Sequence, residues 1–302
     1  MGDFLGSQAV VCLLGLLSAF MFALGLVLQQ RGTLETTAAE GDLRFLRQIL
    51  RKRVWFFGVL ALVCGFLLQA AALDHGTLAL VQSLQALSVV FALPLGARLS
   101  RQRIGRRAIV GASVTVAGIV LLVAVGQPRG GISHPGARTW SVWAAVIATL
   151  MAAVVLVAWR RRGGVAAALF AAGAGLGFAF EAAVTKLLVT SLGNGLAAVF
   201  LSWPLYVLIV ASLAGFALQQ VALKTGCLAP ATAALNSATL AMSVALGVAI
   251  YQESLGPGPG RLVAALLGLA VAVAGVVTLA SCRSTPAGSA ARQGVGPGRK
   301  VR

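Results

Sequence analysis

The run from Gly65 to Ala79, GFLLQAAALDHGTLA, recurs without gaps as GFALQQVALKTGCLA from Gly215 to Ala229. Gly65, Phe66, Leu68, Gln69, Ala72, Leu73, Gly76, Leu78 and Ala79 have identical counterparts at Gly215, Phe216, Leu218, Gln219, Ala222, Leu223, Gly226, Leu228 and Ala229. Two glycines and a polar glutamine hold register inside otherwise apolar sequence, which is more than shared composition supplies. A second pairing sets Gly111, Val114, Val116, Ala117 and Gly118 against Gly268, Val271, Val273, Ala274 and Gly275. Internal similarity of this kind marks a chain built from two related halves.

Around the repeat the composition is that of a membrane protein. Of 302 residues, 59% are hydrophobic and 10% charged, against roughly 25% charged in soluble domains. Too few polar side chains are present to cover a water-exposed surface. With about 20 apolar residues needed to cross the hydrocarbon, nine spans are read: Gln8 to Leu28, Val54 to Leu73, Thr77 to Leu99, Ala108 to Val125, Trp140 to Trp159, Val165 to Val189, Leu196 to Leu218, Leu228 to Tyr251 and Leu262 to Ala280. The repeat equates span two with span seven. That shift is odd, so the copies face opposite ways across the bilayer, as inverted repeats do.

The expected fold is therefore all-α: a polytopic integral membrane protein of about nine transmembrane helices in two inverted repeats, four plus five. Residues 1–127 form the first repeat, 128–139 an external linker, 140–281 the second repeat, and 282–302 a disordered basic cytoplasmic tail rich in Gly, Ser, Pro and Arg.

A net charge of +17 raises the question of nucleic acid, but the basic residues cluster at the ends of apolar runs. With the N-terminus outside, Arg31, Arg44, Arg47, Arg51 to Arg53, Arg98 to Arg107 and Arg160 to Arg162 fall in the cytoplasm, together with Lys224 and the tail. Arg129, Arg138 and Arg261 are left outside. The asymmetry is the positive-inside rule, so no nucleic-acid partner is expected and the basic charge reports topology. Leu43, Leu46, Ile49 and Leu50, interleaved with Arg44, Arg47 and Arg51, fit either an amphipathic helix on headgroups or a solvated loop.

Polar groups inside spans are costly and mark function by default. Glu181 is the carboxylate well inside a span, whereas Asp74 and Glu253 are read as span-end acids. Lys186 follows Glu181 by five positions, about 140° around a helix, and is expected to snorkel to headgroups. Gln69, Gln219 and Gln220, with Gln82, Gln85 and Asn236, are the amides that could line a path; interhelical hydrogen bonding is their structural alternative. Trp55, Trp140, Trp143 and Trp159 read as interfacial anchors. Pro94 reads as a kink in span three, and Pro204 and Pro230 as kinks or a helix start. Gly173, Gly175 and Gly177 offer a surface for close helix contact. Cys12, Cys64, Cys227 and Cys282 lie singly, and His75 and His134 have no companions at metal-ligand spacing. No cofactor is expected, and no nucleophile, base and orienting group suggest an enzyme.

The chain resembles the drug/metabolite transporter superfamily of the EamA type. Its first half is similar to the NIPA-type magnesium transporters, through Gln29-Gln30-Arg31-Gly32, Trp55, Gly58 and the segment Val81 to Val89. Gln82, Ser83 and Gln85 depart from that pattern, and Phe66 stands where the magnesium family carries a glutamate. Gly247 and Glu253 close span eight as in the wider superfamily. The resemblance implies a permease that moves a small polar or amphipathic solute across the cytoplasmic membrane by alternating access. Proton coupling through Glu181 and assembly as a homodimer are left open. A magnesium carrier is the alternative within transport, and a non-transporting scaffold the alternative outside it.

Overall fold

The computed structural model describes residues 2–34, 52–99, 106–126, 131–132, 135–191, 195–224, 228–254 and 259–280. The first-loop segment Leu43 to Arg51, His134 and the basic tail lie outside the described residues.

In a bilayer every backbone polar group must be satisfied within the chain, and the described residues answer with helices. They are α1 (Gly2–Leu34), α2 (Arg53–His75), α3 (Leu78–Gln85), α4 (Ser88–Leu99), α5 (Arg106–Gly126), α6 (Ala137–Trp159), α7 (Gly163–Thr190), α8 (Leu196–Leu201), α9 (Trp203–Lys224), α10 (Leu228–Ala249) and α11 (Pro259–Ala280). Among the described residues, seven stretches are long and apolar enough to cross a membrane, while Ile109–Val125 and Ala233–Ala249 are shorter apolar helices. The protein is an all-helical, polytopic membrane protein. Large apolar side chains such as Leu13, Phe57, Leu67, Val210 and Leu213 point outward, as a hydrocarbon solvent allows.

The expected span three stands as one candidate span, Leu78–Leu99, but its helix is interrupted. Ala86 and Leu87 form a turn between α3 and α4, ahead of Pro94, which sits inside α4. Span seven likewise begins later than the sequence suggests: α8 is a separate short helix, and Pro204 falls in the first turn of α9, where its missing N–H costs nothing.

The packing pattern occurs twice. In the first half α1 packs on α2 and on α3–α4; in the second, α7 packs on α9 and on α10. The pairs α3–α5 and α4–α5 have their counterpart in α10–α11, and α2–α3 in α9–α10. The extra helix α6 lies against α7. Between the halves, α5 packs along α11 and α3 along α10.

Glycines set these distances. A Cβ on Gly268 would lie 2.6 Å from the backbone N of Leu122, and one on Gly118 2.7 Å from the Gly268 carbonyl; Gly275 meets Thr115. Residue numbers rise along α5 as they fall along α11, so the two helices are antiparallel. The second sequence pairing therefore falls on one physical contact, with Gly118 of one copy against Gly268 of the other. Gly175 approaches the Leu235 carbonyl of α10, and Gly177 meets Gly215 of α9, the close contacts expected of small residues.

The bundle has two unlike ends. Arg53, Arg98, Arg106, Arg107 and Arg160 to Arg162, all exposed, lie at helix ends on one side. The opposite side carries the ends of α2 and α7 and the start of α3, with exposed Arg138 and Arg261.

Candidate functional site

At the end opposite the arginines the chain leaves α10 and folds back. Ile250 still donates to the Leu246 carbonyl at 2.8 Å, and Gln252 adopts φ 55°, a left-handed conformation rare outside glycine. The turn aims Glu253 inward, with its N–H donating to the Gly247 carbonyl at 3.0 Å. The residue is 2% exposed, and its carboxylate reaches the start of α3 in the other half. Leu78 N donates to Oε1 at 2.5 Å and Ala79 N to Oε2 at 3.0 Å. Thr77 Oγ1 accepts from Leu80 N at 3.2 Å. The first three N–H groups of α3, orphaned by helix geometry, are thereby all satisfied, two of them by an anion placed where the helix dipole favours it.

Lys186 of α7 neutralises the same carboxylate, with Nζ 2.7 Å from Oε1 and side-chain exposures of 12% and 0% for Lys and Glu. Its ammonium also stands 4.7 Å from the centroid of the Tyr251 ring, a cation–π distance. The Tyr251 hydroxyl donates to the Ala183 carbonyl at 2.6 Å, and Ile132 N donates to the Tyr251 carbonyl at 2.7 Å. Small residues leave the room: a Cβ on Gly247 would fall 2.5 Å from Glu253 Oε2, and one on Gly131 3.2 Å from Glu253 Cγ.

Three expectations are corrected here. Glu253 is a buried bridge between halves, and not a solvated span-end acid. Lys186 does not snorkel to headgroups, because a fully buried carboxylate lies within reach on the α10 side. Trp140 is no interfacial anchor: it is 3% exposed and makes edge contacts with Phe180, Trp203 and Tyr251 at centroid distances of 6.0, 5.7 and 6.1 Å. Trp159, 70% exposed, is on the surface as expected.

The candidate polar residues are distributed over several contacts. Glu181 sits one turn from Gly177 and Phe178, which pack on Gly215, and so lies on the α9 side of α7, away from Lys186. Thr185 Oγ1 is 2.9 Å from its carbonyl and 3.3 Å from its carboxylate Oε1. Gln85 Nε2 donates to Ser18 Oγ at 2.6 Å, and Ser18 donates to the Gly65 carbonyl at 2.6 Å. That amide ties α3 to α1 and α2. Gln69 is buried in α2, Gln219 is half-buried in α9, and Gln220 faces outward. Asn236 is half-buried in α10.

Gln82 stands apart. It is 4% exposed, and its Nε2 has no hydrogen-bond partner among the described residues. Ser243 Oγ, on a fully buried residue of α10, is in the same state, as are Ser237 Oγ of α10 and Trp140 Nε1 of α6. Gly247 abuts the backbone of Ala79, and one helical turn inward along each helix leads to Ser243 and to Gln82. Ala79 and Ala86 share an apolar cluster with Leu240 and Val244 on the two sides of that level. Two unpaired polar groups, one from each half, thus lie at the same depth in the α3–α10 seam. A buried polar group without a partner costs about 1–3 kcal/mol, so such a coincidence asks for a reason. Sequence reasoning found Gln82 and missed Ser243, since a serine among apolar residues gives no signal until its neighbours are known.

Comparison with known proteins bears on the same halves. The model of the EamA-like transporter family matches residues 39–124, which places an EamA-like domain in the first half. An uncharacterized protein of Corynebacterium glutamicum is 28% identical over 286 residues, covering 94% of this chain and 99% of the relative. No solved structure matches.

Proposed function

We propose that the chain is a secondary transporter of the drug/metabolite type, moving a small polar or amphipathic solute across the bilayer by alternating access. The observation that carries the reading is the doubled packing pattern, with a seam between its copies that holds two unpaired polar groups. The EamA-like match to the first half supports the same reading. By the positive-inside rule the arginine end is cytoplasmic and the Glu253 end external, which puts the N-terminus outside and the C-terminus inside.

In this reading the Gln82 amide and the Ser243 hydroxyl donate hydrogen bonds to the solute, and Glu181 is the carboxylate assigned to proton coupling. A magnesium carrier would instead need grouped hard oxygen ligands. Among the described residues no three acidic, His or Cys side chains come together, and nothing in the comparisons singles out that branch. An organic solute is therefore the reading kept.

The test is topological and functional. In a variant whose four cysteines are serine, Asp74→Cys and Lys224→Cys are to be labelled with an impermeant maleimide. The expected result is labelling from opposite sides of the membrane. Labelling of both from one side removes the inverted repeat, and alternating access with it. Proteoliposomes holding a pH-sensitive dye, challenged with amino acids, amines and nucleosides in turn, are expected to show a solute-dependent pH change absent from protein-free vesicles.

A further inference from the structure

The seam between the halves is closed at one end by a device with a fixed part and a releasable part. Glu253 follows α10 and Lys186 belongs to α7, so the ion pair lies wholly within the second half. The two N–H groups that complete the carboxylate's shell belong to α3, in the first half. Separation of the halves at this end would break the N–H bonds of Leu78 and Ala79, while the carboxylate would keep its ammonium. No charge would then be stranded, and external water would take over the two freed N–H groups. The start of α3 would stay ordered, because Thr77 still caps Leu80 N.

The position of this junction gives it a role. One turn beneath it lie the unpaired Gln82 Nε2 and Ser243 Oγ. Farther from it the third span departs from the seam: after the turn at Ala86 and Leu87, α4 packs on α1 and α5 of its own half. The α3–α10 contact is thus made on the Glu253 side.

We propose that the contact of Glu253 with the start of α3 is the external gate of the transport path, closed in this structure, and that Lys186 is its positioning residue, holding the carboxylate within the second half whether the gate is shut or open. The proposal rests on the transport reading above, and it assigns to these residues control of access to Gln82 and Ser243.

The experiment uses the full chain in proteoliposomes, with the native cysteines replaced by serine and Ser243→Cys as reporter. A positively charged, membrane-impermeant methanethiosulfonate is added from outside. With Glu253 intact, modification of the reporter is expected to be slow. Glu253→Gln, which retains one acceptor oxygen and loses the charge, is expected to speed it at least tenfold. Leu78→Pro removes one of the two N–H donors, together with part of a fully buried side chain, and leaves the ion pair in place. Thr77, at φ −76° and ψ 150°, already has a backbone that suits a following proline. It is expected to act in the same direction, and it serves where Glu253→Gln does not fold.

Spin labels at Asp74→Cys and Arg261→Cys are expected to show one distance in the parent and an added longer one in both variants. Lys186→Arg, which preserves the charge, is expected to behave as the parent, and Lys186→Met as Glu253→Gln. Reporter rates and label distances unchanged in folded Glu253→Gln and Leu78→Pro overturn the gate. They leave the transport reading intact, because that reading stands or falls on the opposite-sided labelling of Asp74→Cys and Lys224→Cys.

Discussion

Lys186 and Glu253, 67 positions apart in the chain, meet at 2.7 Å in a junction that also includes the first two backbone N–H groups of α3. Removing the carboxylate leaves a nearly buried ammonium without its partner and uncaps a helix. Glu253→Ala is expected to lower the unfolding free energy by about 3–5 kcal/mol, the range for breaking a buried pair from one side. Lys186→Met in the same chain is expected to recover part of that loss, since it removes the stranded charge. Thermal unfolding of the purified protein in detergent measures both; a loss below about 1 kcal/mol for Glu253→Ala contradicts the bridging role.

Ser243 offers a case where stability and transport part company. Its hydroxyl is buried without a hydrogen bond, so Ser243→Ala removes an unsatisfied group and is expected to leave stability unchanged or slightly raised. Uptake is expected to fall, because one donor to the solute is gone. A variant that unfolds more readily and transports at the parental rate would reverse the assignment.

The α5–α11 contact has no space to give. Gly268→Val or Gly118→Val would drive a side chain into the backbone of the facing helix, an overpacking that costs typically about 1–3 kcal/mol and at times more. Each is expected to lower the melting temperature and broaden the elution profile, whereas Gly136→Ala, with nothing within 4 Å of its added carbon, is expected to behave as the parent.

Two tryptophans at span ends make a matched pair. Trp140→Ala empties a site ringed by Phe180, Trp203 and Tyr251, and a loss of about 3–5 kcal/mol is expected. Trp159→Ala, on the surface, is expected to stay within about 0.5 kcal/mol of the parent. Equal effects in chemical or thermal unfolding would contradict the burial difference.

Glu181 tests the coupling reading. Glu181→Gln keeps the size of the side chain and an acceptor for Thr185, so the fold is expected to persist. Solute uptake is expected to lose its dependence on pH. An unchanged rate and an unchanged pH profile would remove Glu181 from the mechanism.

The apolar runs and their order were readable because the bilayer imposes one length and one solvent on every span. The repeated Gly65 and Gly215 mark real helix contacts, against α1 and α7 respectively. Gly111 to Gly118 and Gly268 to Gly275, paired in apolar sequence where similarity is weak evidence alone, include the glycines of the α5–α11 contact between halves. Glu253 was misread as a span-end acid for a physical reason. Its burial depends on a chain reversal at Gln252 and on partners 67 and 175 positions away, none of which leaves a periodic trace. Lys186 was misread in consequence, since a lysine near a span end snorkels unless a buried anion is nearer than the headgroups. Trp140 was misread in the same way: amphipathic rings at span ends fit an interface or an aromatic core, and only the position of Tyr251 decides.

The cap that completes α3 is synthesised long after α3 itself. Leu78 emerges from the ribosome 175 residues before Glu253, so in a nascent chain the start of that helix has two unanswered N–H groups until Glu253 has been made. Insertion of the first four spans can precede this moment, but their final arrangement cannot. A chain cut short before Tyr251 would therefore present to the cell's quality-control machinery a first half that is inserted but unfinished.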